Sequence, residues 1–317
     1  MDNKLESLNF RALFSFKILE MSDFVMKNNN QFSRALSNSP LGVQTLVLFE
    51  ISIDKFTIVG DLKSEEEKKL ADTLAVHPAI NLRNTGSSRF TAEIENICYV
   101  EYDKFKGQTL NRRNMRVEFN PNNLTDSDQK LIYNLFVSKM KNKGFSRIDI
   151  AFDTDEDLSD YYAMTDTPMK TTNFYGLNGS VETKYFGTRR SDRYIRIYNK
   201  KQQLFDEFEK EIEQEHYWRV ELELKHSWTE KWDNCVEDIY LLQPEWTMLE
   251  NVSDKMKVYA LMHEPNFWGK LSRNSKYKYK KIIKDISKID LGNSLRKELK
   301  ENKEKIFSEL NFWLGDS

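Results

Sequence analysis

Residues 191–201 read SDRYIRIYNKK. Side chains alternate along a β-strand, so Tyr194, Arg196 and Tyr198 share one face and Ile195 and Ile197 the other. A phenol in a basic neighbourhood can serve as a covalent nucleophile toward a phosphodiester, since nearby cations favour the tyrosinate over a phenol whose ordinary pKa is about 10. Three further stretches repeat the parity. In MRVEFN, Arg116, Glu118 and Asn120 oppose Met115, Val117 and Phe119. In RIDIAFD, Arg147, Asp149, Ala151 and Asp153 oppose Ile148, Ile150 and Phe152. In RVELELK, Arg219, Glu221, Glu223 and Lys225 oppose Val220, Leu222 and Leu224. Each strand offers an apolar face for helices to cover and a charged face.

Two readings of the charged face stand side by side. It can be the solvated side of an antiparallel sheet carrying cross-strand salt bridges. Alternatively, carboxylates recurring on three strands repel one another unless a cation sits between them, and oxygen-only donors favour a hard ion, Mg²⁺ or Mn²⁺. Such an ion beside a tyrosine supports phosphodiester transesterification. The four histidines, His77, His216, His226 and His263, form neither an H-x-H nor an H-x-x-x-H pair, so a histidine metal cluster finds no support, and His216 reads as a packing or hydrogen-bonding residue.

The elements that must hold these residues follow from the rest of the chain. Its 317 residues carry a net charge of −2, so nucleic-acid affinity must come from local asymmetry. Cys98 and Cys235 lie far apart with no C-x-x-C pair, which argues for a reducing interior and against a disulfide framework or thiolate zinc site. No apolar run reaches membrane-spanning length, and the start lacks the order of a signal peptide; the expected compartment is the cytoplasm.

Residues 1–44, rich in Asn and Ser, read as a loosely held arm. Next come a strand EISIDKFTIVG, a helix SEEEKKLADTLAVH with Ser64 as N-cap, a long strand RFTAEIENICYVEYD and the strand MRVEFNP ended by Pro121. A helix TDSDQKLIYNLFVSKMKNKG closed by Gly144 leads into SRIDIAFD. This order gives an α+β fold with split-βαβ, ferredoxin-like elements and helices on one face of an antiparallel or mixed sheet. A hairpin turning at Asn178 and Gly179, the tyrosine strand, an acidic helix QQLFDEFEKEIEQE and the strand YWRVELELK follow, and beyond about residue 226 the pattern turns mainly helical. The division expected is an arm over 1–44, a catalytic domain over 45–255 and a helical region over 256–317.

The segments RIDIAFD, EDLSDYYAMTD, TKYFG, SDRYIRIYNKKQ, YWRVELELK and WGKLSRNSKYKYKKIIK resemble, in this order, the replication initiators of small rolling-circle plasmids of the staphylococcal tetracycline- and chloramphenicol-resistance type. The likeness runs from about residue 50 to the C-terminus. It implies a dimeric, origin-specific enzyme that nicks and rejoins DNA through a 5′-phosphotyrosine. The family nucleophile falls on Tyr198, and many members carry phenylalanine at the position of Tyr194. The implied metal site, for Mg²⁺ or Mn²⁺, is built from carboxylates and maps to Asp149 and Glu221, with Glu118, Asp153 and Glu223 as additional or replacement ligands. The implied partners are plasmid double-strand origin DNA (a hairpin or cruciform, single-stranded at the nick), a second copy of the chain and a host superfamily-one helicase, with no membrane. Arg196 and Lys200 beside the nucleophile are expected to meet DNA.

Residues 270–284 hold Lys270, Arg273, Lys276, Lys278, Lys280, Lys281 and Lys284 and no acidic residue. Tyr279, Ile282, Ile283 and Ile286 recur at helical spacing, so this segment reads either as a solvated basic face or as a DNA-docking helix. On the docking reading, Lys270, Lys276, Lys280 and Lys284 contact phosphates. Arg273 and Asn274, in the SRNS stretch where the resemblance places origin discrimination, have side chains suited to guanine and adenine edges. The alternatives are a non-catalytic, sequence-specific DNA-binding replication factor and a carboxylate-pair hydrolase, which leaves the basic segment unexplained. A tyrosine recombinase would need a set of arginines and a histidine that the chain does not assemble.

Overall fold

The computed structural model describes residues 48–315 except 63, 77–79, 87, 88, 111 and 178. The arm expected over 1–44 lies outside the described residues. The chain opens with β1 (Glu50–Leu62), α1 (Ser64–Val76), β2 (Ile80–Gly86), β3 (Arg89–Ile94), β4 (Cys98–Asp103), α2 (Lys104–Leu110) and β5 (Met115–Phe119). It continues through α3 (Asp126–Leu135), β6 (Met140–Thr154), β7 (Tyr162–Thr165), β8 (Thr171–Tyr175), β9 (Val181–Phe186), β10 (Arg193–Asn199), α4 (Lys200–Phe208) and β11 (Trp218–Lys225). The last part holds β12 (Ile239–Pro244), α5 (Val252–His263), α6 (Asn266–Lys270), α7 (Arg273–Asp285), β13 (Ser287–Asp290), α8 (Gly292–Glu301) and α9 (Lys303–Leu314).

Ten strands form one sheet in the order β2-β3-β4-β5-β1-β6-β11-β10-β9-β8. Its pairings are antiparallel throughout. Its apolar face is the one that the strand parity predicts: Val117, Ile148, Ile150, Phe152, Ile195, Ile197, Val220, Leu222 and Leu224 are buried. Helices cover that face. Leu70 and Leu74 come from α1, Ile132 from α3, and Leu295, Leu299, Ile306, Leu310 and Trp313 from α8 and α9. The Trp313 ring lies 4.4 Å from Phe119 and 6.4 Å from Phe56, so the C-terminal helices return to the middle of the sheet. A second, three-stranded sheet, β13-β12-β7, supports α5 and α7 through Met164, Leu242, Val258, Leu261, Tyr279 and Ile283. The fold is α+β, with a mainly helical C-terminal part.

Local expectations fail where packing overrules pattern. RFTAEIENICYVEYD is two strands, because residues 95–97 turn, with Asn96 in the left-handed region at φ 59°. The helix expected to run to Gly144 is α3, ending at Leu135. Residues 137–139 make a 3₁₀ turn and Met140 already begins β6. Lys141 and Gly144 pair with Asp61 and Val59 of β1, so the backbone from Met140 onward is committed to the sheet ladder and cannot continue the helix. The acidic helix begins earlier and stops sooner than expected. Asn199 caps it by accepting the Gln202 N–H at 3.0 Å, and Glu209, at φ 51°, ends it. The polar run after Phe208 has no apolar stripe to bury.

Lys184, in the TKYFG segment, points to the core side of β9 and is buried. Its ammonium donates to the Tyr161 carbonyl and, at 3.4 Å, to that of Leu158. Burial lowers its pKa to about 8, from an ordinary value of about 10.4. The unfolded chain therefore binds the extra proton between these limits, and stability rises with pH from about 8 to about 10. Chemical denaturation across that window should show this slope in the wild type and its loss in Lys184→Met.

Candidate active site

Register across the sheet sets the site as rows of facing residues. Tyr198 stands opposite Arg219 of β11, which stands opposite Asp153 of β6. Arg196 stands opposite Glu221, itself opposite Ala151; Tyr194 faces Glu223, which faces Asp149. Strand parity thus brings the four expected strands together on one polar face, as the alternation requires.

That face is not solvated. Asp149 is 2% exposed and Glu221 3%, with Glu223 and Arg219 also buried. Each carboxylate is held by cations. Arg147 grips Asp149 through two bonds of 2.7 and 2.5 Å and also reaches Glu223 at 2.7 Å, which Lys225 meets on its other oxygen. Arg196 pairs with Glu221. Arg219 binds Asp153 at 2.6 and 2.7 Å and reaches Asp54 at 3.2 Å, while the Tyr217 hydroxyl donates to Asp153 at 3.0 Å. Against its burial, Lys55, Arg116 and Thr57 hold Glu118 below the usual carboxylate range.

The Tyr198 hydroxyl donates to Glu221 Oε2 at 3.1 Å. Burial raises its pKa and the Glu221 charge adds to the rise, while Arg219 and Arg196 pull the other way without prevailing. The cations therefore do not leave a standing tyrosinate, contrary to the sequence expectation; the resting group is a phenol hydrogen-bonded to a carboxylate. Lys200 lies 5.8 Å from the centre of the Tyr198 ring and donates to Gln203 at 3.0 Å. Its pKa is lowered by burial and by Arg219. Among the described residues, Tyr194 makes no such bond to a carboxylate; its ring packs 5.6 Å from that of Tyr185.

A cleft of ≈ 240 Å³ opens over Tyr198 and Arg196, walled by Thr183 and Tyr185 of β9 and by Asn199, Gln202, Gln203, Asp206 and Glu207 at α4. Among the described residues, Arg196 Nε is buried without a hydrogen-bond partner. Sequence reasoning missed Tyr185, Gln202 and Gln203. The TKYFG segment carried the signal for Tyr185, since its parity matches that of the tyrosine strand.

Asp149 has two buried carboxylates on the adjacent strand, Glu223 directly opposite and Glu221 one row away, and oxygen donors of this kind are those a hard divalent ion takes. Burial pushes the Asp149 carboxyl up to about 6 and the charges of Glu221 and Glu223 push the same way, against Arg147. An ion between them would relieve that repulsion by displacing arginine contacts. Among the described residues, no three His, Cys, Asp or Glu side chains converge as a ready cage, and Glu118 and Asp153 are each committed to their own cations. Outside the site, His216 lies 3.7 Å from Asp157 and His226 2.8 Å from Asp192, His263 stacks on Tyr259, and His77 is outside the described residues.

The basic segment forms α7, capped by Ser272, whose hydroxyl accepts the Ser275 N–H at 3.2 Å. Tyr279 and Ile283 are buried in the second cluster, as the helical spacing requires. Two of the expected phosphate-contacting lysines are engaged within the fold. Lys280 donates to the carbonyls of Thr165 and Asp166 at 2.5 and 2.9 Å; Lys284 pairs with Asp166 at 2.8 Å and lies 3.6 Å from the centre of the Tyr240 ring. Lys278 pairs with Asp254 at 2.9 Å. Lys270 sits 5.3 Å from the centre of the Phe267 ring, and Arg273, Asn274 and Lys281 are exposed, with Lys276 half-buried.

Residues 55–140 match a family described as "Replication initiation protein, N-terminal", of the RepD-like kind. A replication initiation protein of Staphylococcus aureus is 48% identical over 265 residues, covering 83% of this chain and 85% of its own. Another from the same organism is 44% identical over 291 residues, covering 90% and 93%. A solved rolling-circle replication initiator from Geobacillus stearothermophilus aligns over 64% of this chain and 90% of its own with a TM-score of 0.40 and 14% identity, too distant to bear on the site. With near-full-length relatives at this identity, the chain belongs to the family of replication initiation proteins that its motifs resemble.

Proposed function

We propose that the protein starts rolling-circle replication of a plasmid by nicking its double-strand origin, with Tyr198 as nucleophile. One observation carries the reading: the Tyr198 hydroxyl, at the floor of an open cleft, donates to the buried carboxylate of Glu221 at 3.1 Å. A phenol needs a base at hydrogen-bond distance to attack phosphorus, and Glu221 is that base. As the Oη–P bond forms, the phenolic proton passes to Glu221. The P–O3′ bond breaks, the 3′ oxygen leaves and takes a proton from solvent water, and the 5′ phosphate stays on the tyrosine. Arg196 and Arg219 flank the ring and offset charge developing on the phosphoryl oxygens. A Mg²⁺ or Mn²⁺ ion, held by Asp149 and Glu221, would supply Lewis-acid polarisation of the phosphate.

The helices α5 to α7 are the origin-docking part in this reading, with Arg273 and Asn274 as base readers and Lys270, Lys276 and Lys281 toward phosphates. A homodimer and a superfamily-one helicase belong to it through the resemblance alone. Full pairing of every carboxylate on the face also suits a binding factor without catalysis, and the first experiment separates the two. Supercoiled plasmid carrying the cognate origin should be nicked in Mg²⁺ with protein left on the cut strand, whereas a binding factor leaves it supercoiled.

In that assay Tyr198→Phe should abolish nicking with origin binding intact, and Tyr194→Phe should stay active. Glu221→Gln, which keeps the shape but not the base, should slow nicking by about 10²–10⁴-fold. Attachment of DNA to Tyr194 on peptide mapping would overturn the assignment.

Calorimetric titration with Mn²⁺ should show weaker binding in Asp149→Asn and Glu221→Gln, with folded stability held by thermal melting. Unchanged affinity in both would leave these carboxylates as partners of Arg147 and Arg196 only.

On α7, Arg273→Ala and Asn274→Ala should reorder affinity among origin variants, by about 1–3 kcal/mol per lost base contact. Lys276→Ala and Lys281→Ala should weaken all DNA alike and flatten the salt dependence by about one unit of log–log slope each. Lys280→Ala should instead lower the melting temperature, since its ammonium serves the end of β7. Binding across a salt series on cognate and altered origins, with melting curves, distinguishes the three classes.

A further inference from the structure

Beside the cleft, aromatic rings stand in series across β8, β9 and β10 on the polar face. Phe174 and Tyr185 have ring centres 5.3 Å apart at 66°, and Tyr185 and Tyr194 5.6 Å apart at 46°. Register puts Phe174 opposite Thr183 and Thr183 opposite Tyr198. Phe174 therefore lies in the nucleophile's own row, two strands away, about 10 Å. Exposure is graded along the series. Tyr194 is 7% exposed and anchors the rings, Tyr185 is half-buried and lines the cleft, and Phe174 is 52% exposed at the sheet edge.

Charge around this row is asymmetric. The turn from β9 to β10 exposes Arg189 and Arg190, neither in an ion pair among the described residues, and Arg189 lies close enough to act electrostatically on Tyr194. Glu182, Asp206 and Glu207 line the cleft as well, two of them on α4. Phosphates are repelled from the α4 wall and attracted along the turn, so a DNA strand reaching Tyr198 is steered over the aromatic side. An exposed ring in a series that runs from a nucleophile's cleft to Tyr194, on which the Arg189 guanidinium acts, suits a base plane with its neighbouring phosphate.

We propose that Phe174, backed by Tyr185 and Tyr194, is a stacking rail for the bases of single-stranded DNA flanking the cut. The proposal rests on the nicking reading and adds the surface that presents the strand. Stacking fixes the neighbouring base while leaving the scissile phosphate over Tyr198, and it tolerates any base.

The test uses the full chain carrying Tyr198→Phe, so that no covalent product forms, and fluorescence anisotropy with a labelled single-stranded oligonucleotide spanning the cut site. Adding Phe174→Ala should weaken single-strand binding about five- to hundredfold, the range for one lost stacked base. Phe174→Trp should restore it, and binding to duplex origin should not change. Equal single-strand affinity for Phe174→Ala and its parent would overturn the rail. If Phe174→Ala altered only the sedimentation behaviour, the β8 edge would be a protein contact and the proposal would fall. If the parent bound no single strand at all, the rail and the nicking reading would fall together. A wild-type background that nicks plasmid while Phe174→Ala binds normally would remove the rail alone.

Discussion

Everything at the centre of this protein depends on keeping charge balanced on one buried sheet face. Carboxylates at Asp149, Glu221 and Glu223 are almost out of reach of water, and a charge so placed is tolerable only when paired and hydrogen-bonded. Arg147 answers two of them from the row below, and Arg196 answers the third. Because the Arg147–Glu223 and Arg196–Glu221 pairs join different strands, a slip of one residue in either partner strand would send a guanidinium group into the apolar core and strand its carboxylate. Charge pairing and hydrophobic patterning therefore specify the same register.

The same balance sets the state of Tyr198. Arginines near a phenol were expected to draw off its proton, yet Arg196 and Arg219 are largely spent on Glu221 and Asp153. What Tyr198 meets is a low-dielectric setting and a carboxylate, both of which keep the proton on. A phenol held this way keeps its proton until something changes the charge around Glu221.

The parity of four strands was readable because a period of two survives any tertiary context, and it placed Tyr198, Asp149 and Glu221 on one face correctly. The identity of each ion-pair partner was not readable. Pairing of Lys55 with Asp149 follows an irregularity at Asp54 that shifts β1 by a residue, and no local signal marks it. The short strands β7, β12 and β13 were equally hidden, since four to six mixed residues carry too little pattern to be told from loop. Composition alone made Lys280 and Lys284 look like their neighbours. Their inward roles arise from Asp166, more than a hundred residues earlier in the chain.

That tie between α7 and the end of β7 bears on which surfaces of the helix can diverge between related initiators. One side of the helix, with Tyr279, Lys280, Ile283 and Lys284, is bound to the second core and to Asp166, and a change there must be matched elsewhere in the sequence. The outward side, with Arg273, Asn274, Tyr277 and Lys281, carries no such obligation. Drift is thus channelled into the residues on the outward side, which a lineage can vary through a few substitutions while the buried sheet face stays in place.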